Sequence, residues 1–314
     1  MSGGRLLILA WHNVESTPFF PSAPGAGSRG LEAQLRLIRR IAHPVRLDRA
    51  LDDLSENRRL PRRAVAITFD DGYRDNLDVA APLLSRLGLP ATFFLVPGLL
   101  SREVKAWWEE VAWAFQGSAL SSLEWEGRTW NWDSSATRSR CCNLIVETLK
   151  RRSRRDRDAA VDEIVSRLDP QGPQPSDLFF DWDGARSLAR LGFGIGSHTV
   201  THPILSEETP EVQQSELSDS RRSLEAEIGA DIDLLAYPNG TELDYNEDSI
   251  AAARAAGYSH SVTVLEGWNT PRTPEHEIHR FIVYPERGTR GLAVVLRTAL
   301  ERLAAPLRAA ARGS

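Results

Sequence analysis

The sequence predicts a parallel α/β barrel, and three observations lead there. Strand-like and helix-like segments alternate about seven times along the chain. The strand-like runs are continuously apolar, as in Leu6-Leu7-Ile8-Leu9-Ala10-Trp11, which is the pattern of strands buried on both faces. Polar clusters follow directly after these runs: His12, Asp70-Asp71, His198 with His202, and Asn239. The C-terminal ends of parallel strands share one mouth in a β/α barrel, so chain order alone gathers these groups.

The first strand is Leu6–Trp11, followed by a loop holding Pro18, Pro21, Pro24, Gly25 and Gly27. Residues 31–41 have helical spacing, with Leu31, Leu35, Leu37, Ile38 and Ile41 apolar. A second strand, Ala64–Phe69, runs into Asp70-Asp71-Gly72. A helix over 76–87 stops at Gly88, and a strand over 91–96 closes at Pro97-Gly98. Residues 101–180 interrupt the rhythm and hold six of the nine tryptophans. They predict mainly helix, with a small hairpin around Glu126-Gly127. Trp107, Trp108 and Trp113 beside Val111 and Phe115 predict a helix burying an apolar face rather than a set of sugar platforms. The Arg-rich run 151–157, alternating with acids, predicts a solvated helix face.

Alternation then resumes. It gives a helix over 182–191, a strand over 193–197 ending in His198, and a helix over Pro210–Ile228. A strand over 234–237 and a helix over Glu247–Ala256 follow, then strands over 261–265 and 278–284. A closing amphipathic helix spans 291–311. The expected organisation is a single domain over 1–314 with the helical insertion at about 101–180 inside it.

The 314 residues are 41% apolar and 26% charged, which excludes a disordered chain, a collagen-like chain and a coiled-coil rod. A net charge of −5 leaves no global basic field for nucleic acid. Cys141 and Cys142 are neighbours, so no disulfide framework is expected. The apolar run near the start is too short for a signal-peptide core or a membrane span. The expected location is therefore cytoplasmic, with the inner membrane face as an option.

His198 and His202 stand four residues apart straight after a strand, a spacing that on a helical turn puts both rings on one face. With one carboxylate they make the set of a catalytic divalent site with an open position, Zn²⁺ first and Co²⁺, Ni²⁺ or Fe²⁺ as alternatives. Asp70 and Asp71 both stand at a strand end, where two adjacent acids are costly unless a cation is near. One can bind metal while the other accepts a proton; an Asp here could also cap the following helix.

Ile67-Thr68-Phe69-Asp70-Asp71-Gly72-Tyr73, together with Ser197-His198-Thr199-Val200-Thr201-His202-Pro203, resembles the NodB-type polysaccharide deacetylases, carbohydrate esterase family 4. The family's first motif is T-F-D-D-G, and its second pairs two His across a short spacer led by Ser or Thr. The resemblance covers roughly residues 5–100 and 180–285. It implies a distorted (β/α)7 barrel. It implies Asp70 as general base and Asp71, His198 and His202 as metal ligands.

The family's third motif, R-x-P-[FY]-G, aligns with Ala236-Tyr237-Pro238-Asn239-Gly240. The backbone N–H of Asn239 becomes a candidate oxyanion donor, while the family's Arg is replaced by Ala236. Arg280 is the residue expected to supply that charge from another strand. The family's L-x-H motif, usually near the C-terminus, is matched instead by Leu9-Ala10-Trp11-His12-Asn13. That rearrangement resembles the branch acting on poly-N-acetylglucosamine-like polymers and implies His12 as general acid.

The implied activity is metal-dependent removal of N-acetyl groups from an amino sugar in a glycan, glycolipid or glycoconjugate precursor. Two other readings stay open: a deformylase or other amide hydrolase on the same fold, and an inactive carbohydrate-binding barrel. An N-acetylated saccharide or glycolipid is the expected partner, with no nucleic acid, no transmembrane segment and the oligomeric state open.

Overall fold

The computed structural model describes residues 4–174 and 177–312, with side chains to residue 301. Its strands in chain order are β1 (Leu6–Trp11), β2 (His43–Pro44), β3 (Ala64–Phe69), β4 (Thr92–Leu95), β5 (Ser122–Trp125), β6 (Arg128–Asn131), β7 (Gly194–Ser197), β8 (Leu234–Ala236), β9 (His260–Val262) and β10 (Phe281–Ile282). The main sheet runs β10-β1-β3-β4-β7-β8-β9, all parallel, with β2 added on β3. A parallel bridge from Val262 to Ile278 brings the segment before β10 back against β9. The parallel sheet that the alternation predicts thus curls into the distorted (β/α) barrel that the resemblance implies.

Two hydrophobic clusters divide along the strands with period two. Leu7, Leu9, Trp11, Val65, Ile67, Phe69, Phe93 and Leu95 belong to the cluster under the outer helices. Leu6, Ile8, Ala64, Ala66, Phe94, Leu234 and Ala236 belong to the barrel interior. Continuing the interior register past the strand ends reaches His12, Asp70 and His198. The interior residues are small where space is needed. At Gly196 a Cβ would sit 2.5 Å from the Phe94 ring. A large buried side chain, Arg280, enters the same interior, with its guanidinium 5.5 Å from the Phe94 ring centroid.

The structure adds elements that the alternation does not announce, two of them between the first long helix and β3. These two are β2 and a helix over Leu47–Ser55, whose Leu47, Ala50, Leu51 and Leu54 join the interior cluster. The first long helix begins at Ala26, inside the Pro- and Gly-containing stretch, because Gly25 takes the left-handed conformation that starts it. The last two strands are shorter than expected: β9 ends at Val262, and β10 holds only Phe281 and Ile282. Among the described residues no helix is long and apolar enough to cross a membrane.

Residues 101–180 build a core of their own. Helices Trp107–Gly117, Ser135–Leu149 and Arg154–Leu168 pack with the β5–β6 hairpin, whose turn places Glu126 and Gly127 at φ 51° and 70°. Two successive positive φ values are what a two-residue hairpin turn requires. Trp107, Trp108, Trp125, Trp130 and Trp132 are buried in this core, and Trp113 is half-buried. The Arg-rich run departs from its expected solvated face at one position. Arg157 is buried, with its guanidinium 4.8 Å over the Trp107 ring. The aromatic face of the neighbouring helix offers that cation a better surface than its own helix does.

Candidate active site

The mouth is assembled from strand ends. Asp70 follows β3, and its N–H donates to Trp11 O at 2.9 Å, so the β1–β3 ladder fixes it beside the end of β1. Asp71 comes next at φ 72° and Gly72 at 83°, a left-handed pair that reverses the chain over the barrel. His198 follows β7, and its N–H donates to Leu95 O at the end of β4. All three residues are buried.

The His198–His202 turn is not helical as the spacing suggests. Thr199 and His202 both take positive φ, 66° and 54°, and the two rings meet edge-on with centroids 4.9 Å apart. Glu216 holds the turn. Its Oε2 accepts the N–H groups of Val200 and Thr201 at 2.8 and 2.9 Å, and its Oε1 accepts Thr201 Oγ1–H at 2.6 Å. Glu216 lies on the buried stripe of helix Pro210–Ile228 among Gln213, Leu217, Ser220 and Leu224. An acid on an otherwise inward stripe is the sequence signal that could have found it. Backbone strain of this kind gathers at functional sites.

Asp71, His198 and His202 face one another. The Nε2 atoms of the two histidines lie 3.4 and 3.5 Å from Asp71 Oδ1. These ligand atoms all fall within 4.8 Å of one another. His198 Nδ1 lies 2.7 Å from Ala236 O. A carbonyl can only accept, so Nδ1 carries a proton and Nε2 is the ring atom turned toward Asp71.

Protonation favours the same arrangement at Asp71 and His202. Burial alone would raise Asp71, but its contact with His198 and the nearby imidazole charges hold it well below the usual carboxylate range. Burial pushes His202 down to about 3, while His198 is raised, its contact with Asp71 outweighing the burial. Ionised Asp71 and neutral His202 are the forms a cation takes up, and a bound cation would displace the proton that Asp71 favours on His198. Asp71 Oδ1 is buried with no hydrogen-bond donor. Buried oxygens normally have a partner, so this donor set fits a divalent metal ion.

Arg280 approaches Asp70 from inside the barrel. It precedes β10 and is fully buried; its Nη1 and Nη2 each donate to one Asp70 oxygen at 2.8 Å. Its Nε donates to Thr263 O at 2.9 Å, which fixes the guanidinium plane. Burial opposes ionisation of Asp70, but the Arg280 charge, followed by that of His198, holds its carboxyl below the usual range. The chain thus carries its buried cation just before β10 and a small Ala236 on β8.

His12 follows β1 and is half-buried, with its ring stacked on Phe20 at 6.0 Å. It stands close enough for its charge to lower both Asp70 and Asp71. Asn239 stands on the loop after β8 at φ 56°, with its side-chain Nδ2 buried and unpartnered. A cavity of about 840 Å³ lies between the loop after β1 and the insertion, lined by Phe19, Phe115 and Trp132, and includes none of these site residues.

A family model described as polysaccharide deacetylase matches residues 57–261. A curated protein of Bacillus subtilis (strain 168), YxkH, provisionally named a polysaccharide deacetylase, is 24% identical over 232 residues. That match covers 74% of this chain and 56% of YxkH, so the chain spans little more than half the length of that relative. Among solved structures, the Streptococcus pyogenes deacetylase PplD in complex with acetate superposes with a TM-score of 0.62 at 18% identity, covering 94% of this chain and 99% of that one. IcaB from Ammonifex degensii gives 0.59 at 18% identity, over 94% and 98%. At such identities the two structures speak for the fold.

Proposed function

The chain belongs to the polysaccharide deacetylase family, and from that premise we propose that it hydrolyses the N-acetyl group of an amino sugar in a glycan, glycolipid or glycoconjugate precursor. Acetate and a free amine are the products. The observation that carries the proposal is a buried Asp70, held ionised by Arg280, directly beside a three-ligand cluster.

Asp71, His198 and His202 would hold the metal, with Zn²⁺ first among the candidates for a His-His-Asp set. Bound there, a divalent cation acts as a Lewis acid on the amide oxygen and lowers the pKa of water. Asp70 accepts the proton of the attacking water. Arg280 keeps both Asp70 oxygens oriented and the carboxylate charged, so the base is ready without rearrangement. The Asn239 backbone N–H receives the developing oxyanion. His12, on the other side of the mouth from β7, returns a proton to the leaving nitrogen.

An inactive binding barrel was attractive only while the base lacked a cation; the Arg280–Asp70 pair removes that motive. Deformylation by the same residues is separated by the product acid. The test is acetate and formate release from N-acetylglucosamine oligomers, a lipid-linked N-acetyl sugar and N-formyl analogues, by the parent and by Asp70→Asn. The expected result is acetate release by the parent and a loss of about 10²–10⁴ in Asp70→Asn, with metal retained. Acetate release within tenfold of the parent would remove Asp70 as the base.

A further inference from the structure

Glu109 belongs to the insertion, on helix Trp107–Gly117, and is 1% exposed. No step of the proposed reaction uses it. Its carboxylate is nonetheless satisfied entirely by groups that lead to the mouth. Oε1 accepts Thr17 Oγ1–H at 2.7 Å and Tyr73 O–H at 2.8 Å, and Oε2 accepts the Phe19 N–H at 2.9 Å. Thr17 and Phe19 lie on the loop after β1, in which Phe20 stacks on the His12 ring. Tyr73 follows Asp70-Asp71-Gly72 directly. Tyr73 O in turn accepts Trp108 Nε1–H at 2.8 Å, and the Trp108 ring packs against the His202 ring with centroids 4.6 Å apart.

We infer that Glu109 is a positioning residue: its carboxylate ties the loop behind His12 to Tyr73 and, through Tyr73 and Trp108, to His202. This inference rests on the deacetylase reading for its effect on turnover. Its effects on loop order and metal affinity stand without that reading.

The geometry gives the insertion a reason to be where it is. The loop after β1 carries Pro18, Pro21 and Pro24 and has no sheet partner of its own. Its Phe19 N–H would lack a buried acceptor without Glu109, and buried donors left unmade are costly. Three donors converge on one carboxylate, an arrangement that neutral Gln cannot copy. Gln can still accept at Oε1, but its amide NH₂ would then face the Phe19 N–H, donor against donor. The Trp108 ring meanwhile limits how far the His202 ring can turn, a restraint of the kind that orients metal ligands from outside the ligand set.

The test uses the full-length chain loaded with Zn²⁺, as parent, Glu109→Gln and Tyr73→Phe. Amide hydrogen exchange is read over residues 13–22, Zn²⁺ affinity by chelator competition, and kcat and KM by acetate release from an N-acetylglucosamine pentamer. For Glu109→Gln the expected result is faster exchange confined to 13–22. It comes with a fall in kcat of about tenfold or more, a KM within about twofold, and kcat/KM falling with kcat. Unchanged exchange or unchanged kcat would overturn the inference. So would exchange that rises across the barrel strands together with 13–22, which would make Glu109 a general stability residue.

Tyr73→Phe removes one hydroxyl and remains decisive if Glu109→Gln does not fold. It should leave 13–22 as protected as in the parent and weaken Zn²⁺ binding by about tenfold. Unaltered Zn²⁺ affinity would break the Trp108–His202 arm. A parent that binds Zn²⁺ but releases no acetate would defeat the deacetylase reading, while exchange and affinity would still decide this one.

Discussion

The barrel mouth and the insertion both bury charged groups, but they pair them differently. In the mouth the partners are matched charges or ligand sets contributed by different strands: Asp70 with Arg280, Asp71 with His198 and His202. In the insertion Glu109 takes three neutral donors, and Arg157 lies over an aromatic ring while donating to His202 O at 3.3 Å. A charge fixed by an opposite charge is held in one protonation state. A charge fixed by neutral donors holds the pieces of chain that carry those donors. The mouth is built for chemistry and the insertion for holding the mouth's loops in place.

This contrast is broken most severely at Arg280. Arg280→Ala leaves a buried Asp70 without its cation, and activity should fall by about 10²-fold or more as the base loses orientation. Arg280→Lys should recover only part, because a point charge cannot bridge both oxygens. Equal kcat in Arg280→Ala and parent would show that Asp70 needs no cation. Glu216→Gln comes next. Its carboxylate clamps the turn between the two histidines, so metal affinity should weaken by about 10–100-fold, read by chelator competition. Unchanged affinity would mean that the left-handed turn stands without its clamp.

The insertion core should behave in the opposite way. Trp125 is buried in the insertion's own core beneath the Arg152 guanidinium. Trp125→Ala should cost ~3–5 kcal/mol of stability, measured by denaturant unfolding, with kcat per folded molecule kept within about twofold. A large kcat loss there would erase the distinction between holding and reacting.

The smallest effect sits at the far side of the barrel, at His276. It is buried beside Ser261 Oγ, 2.9 Å from its Nδ1, and burial lowers it to about 4. Its unfolded value is near 6.5. Between the two, the unfolded chain takes up the proton and the folded chain does not, so stability is lost as pH falls through that window. His276→Gln should flatten unfolding free energy against pH between about 4 and 6.5. A slope equal to the parent's would assign the loss to other groups.

What the sequence revealed follows from this same division. Asp70-Asp71 and His12 are legible because they directly follow apolar strand runs, where a polar residue has few reasons to be, and His198 with His202 by their spacing after a strand. Arg280 is legible as the charge that the third motif lacks at Ala236. Glu216 and Glu109 were missed: each is one acid on a helix, and its meaning lies in donors far along the chain. Thr17 is 92 residues from Glu109. The spacing of His198 and His202 suggested a helical turn, but the left-handed Thr199 and His202 are imposed by Glu216 from another element. Helix Leu47–Ser55 shows an apolar pattern at Leu47, Leu51 and Leu54, yet it lies outside the strand–helix alternation that carried the fold prediction. Arg157 reads as solvated within its own helix and is buried only because Trp107 lies across from it.

The central claim is that Asp71, His198 and His202 form a metal centre that serves Asp70 in amide hydrolysis. The most direct measurement is a zinc titration of metal-stripped protein, with bound metal and acetate release from an N-acetylglucosamine pentamer followed in the same samples. The account predicts that acetate release rises in proportion to bound zinc and levels off at about one ion per chain, and that His202→Ala loses both together. Full acetate release from the stripped protein, or His202→Ala retaining one tightly bound zinc per chain, would contradict it.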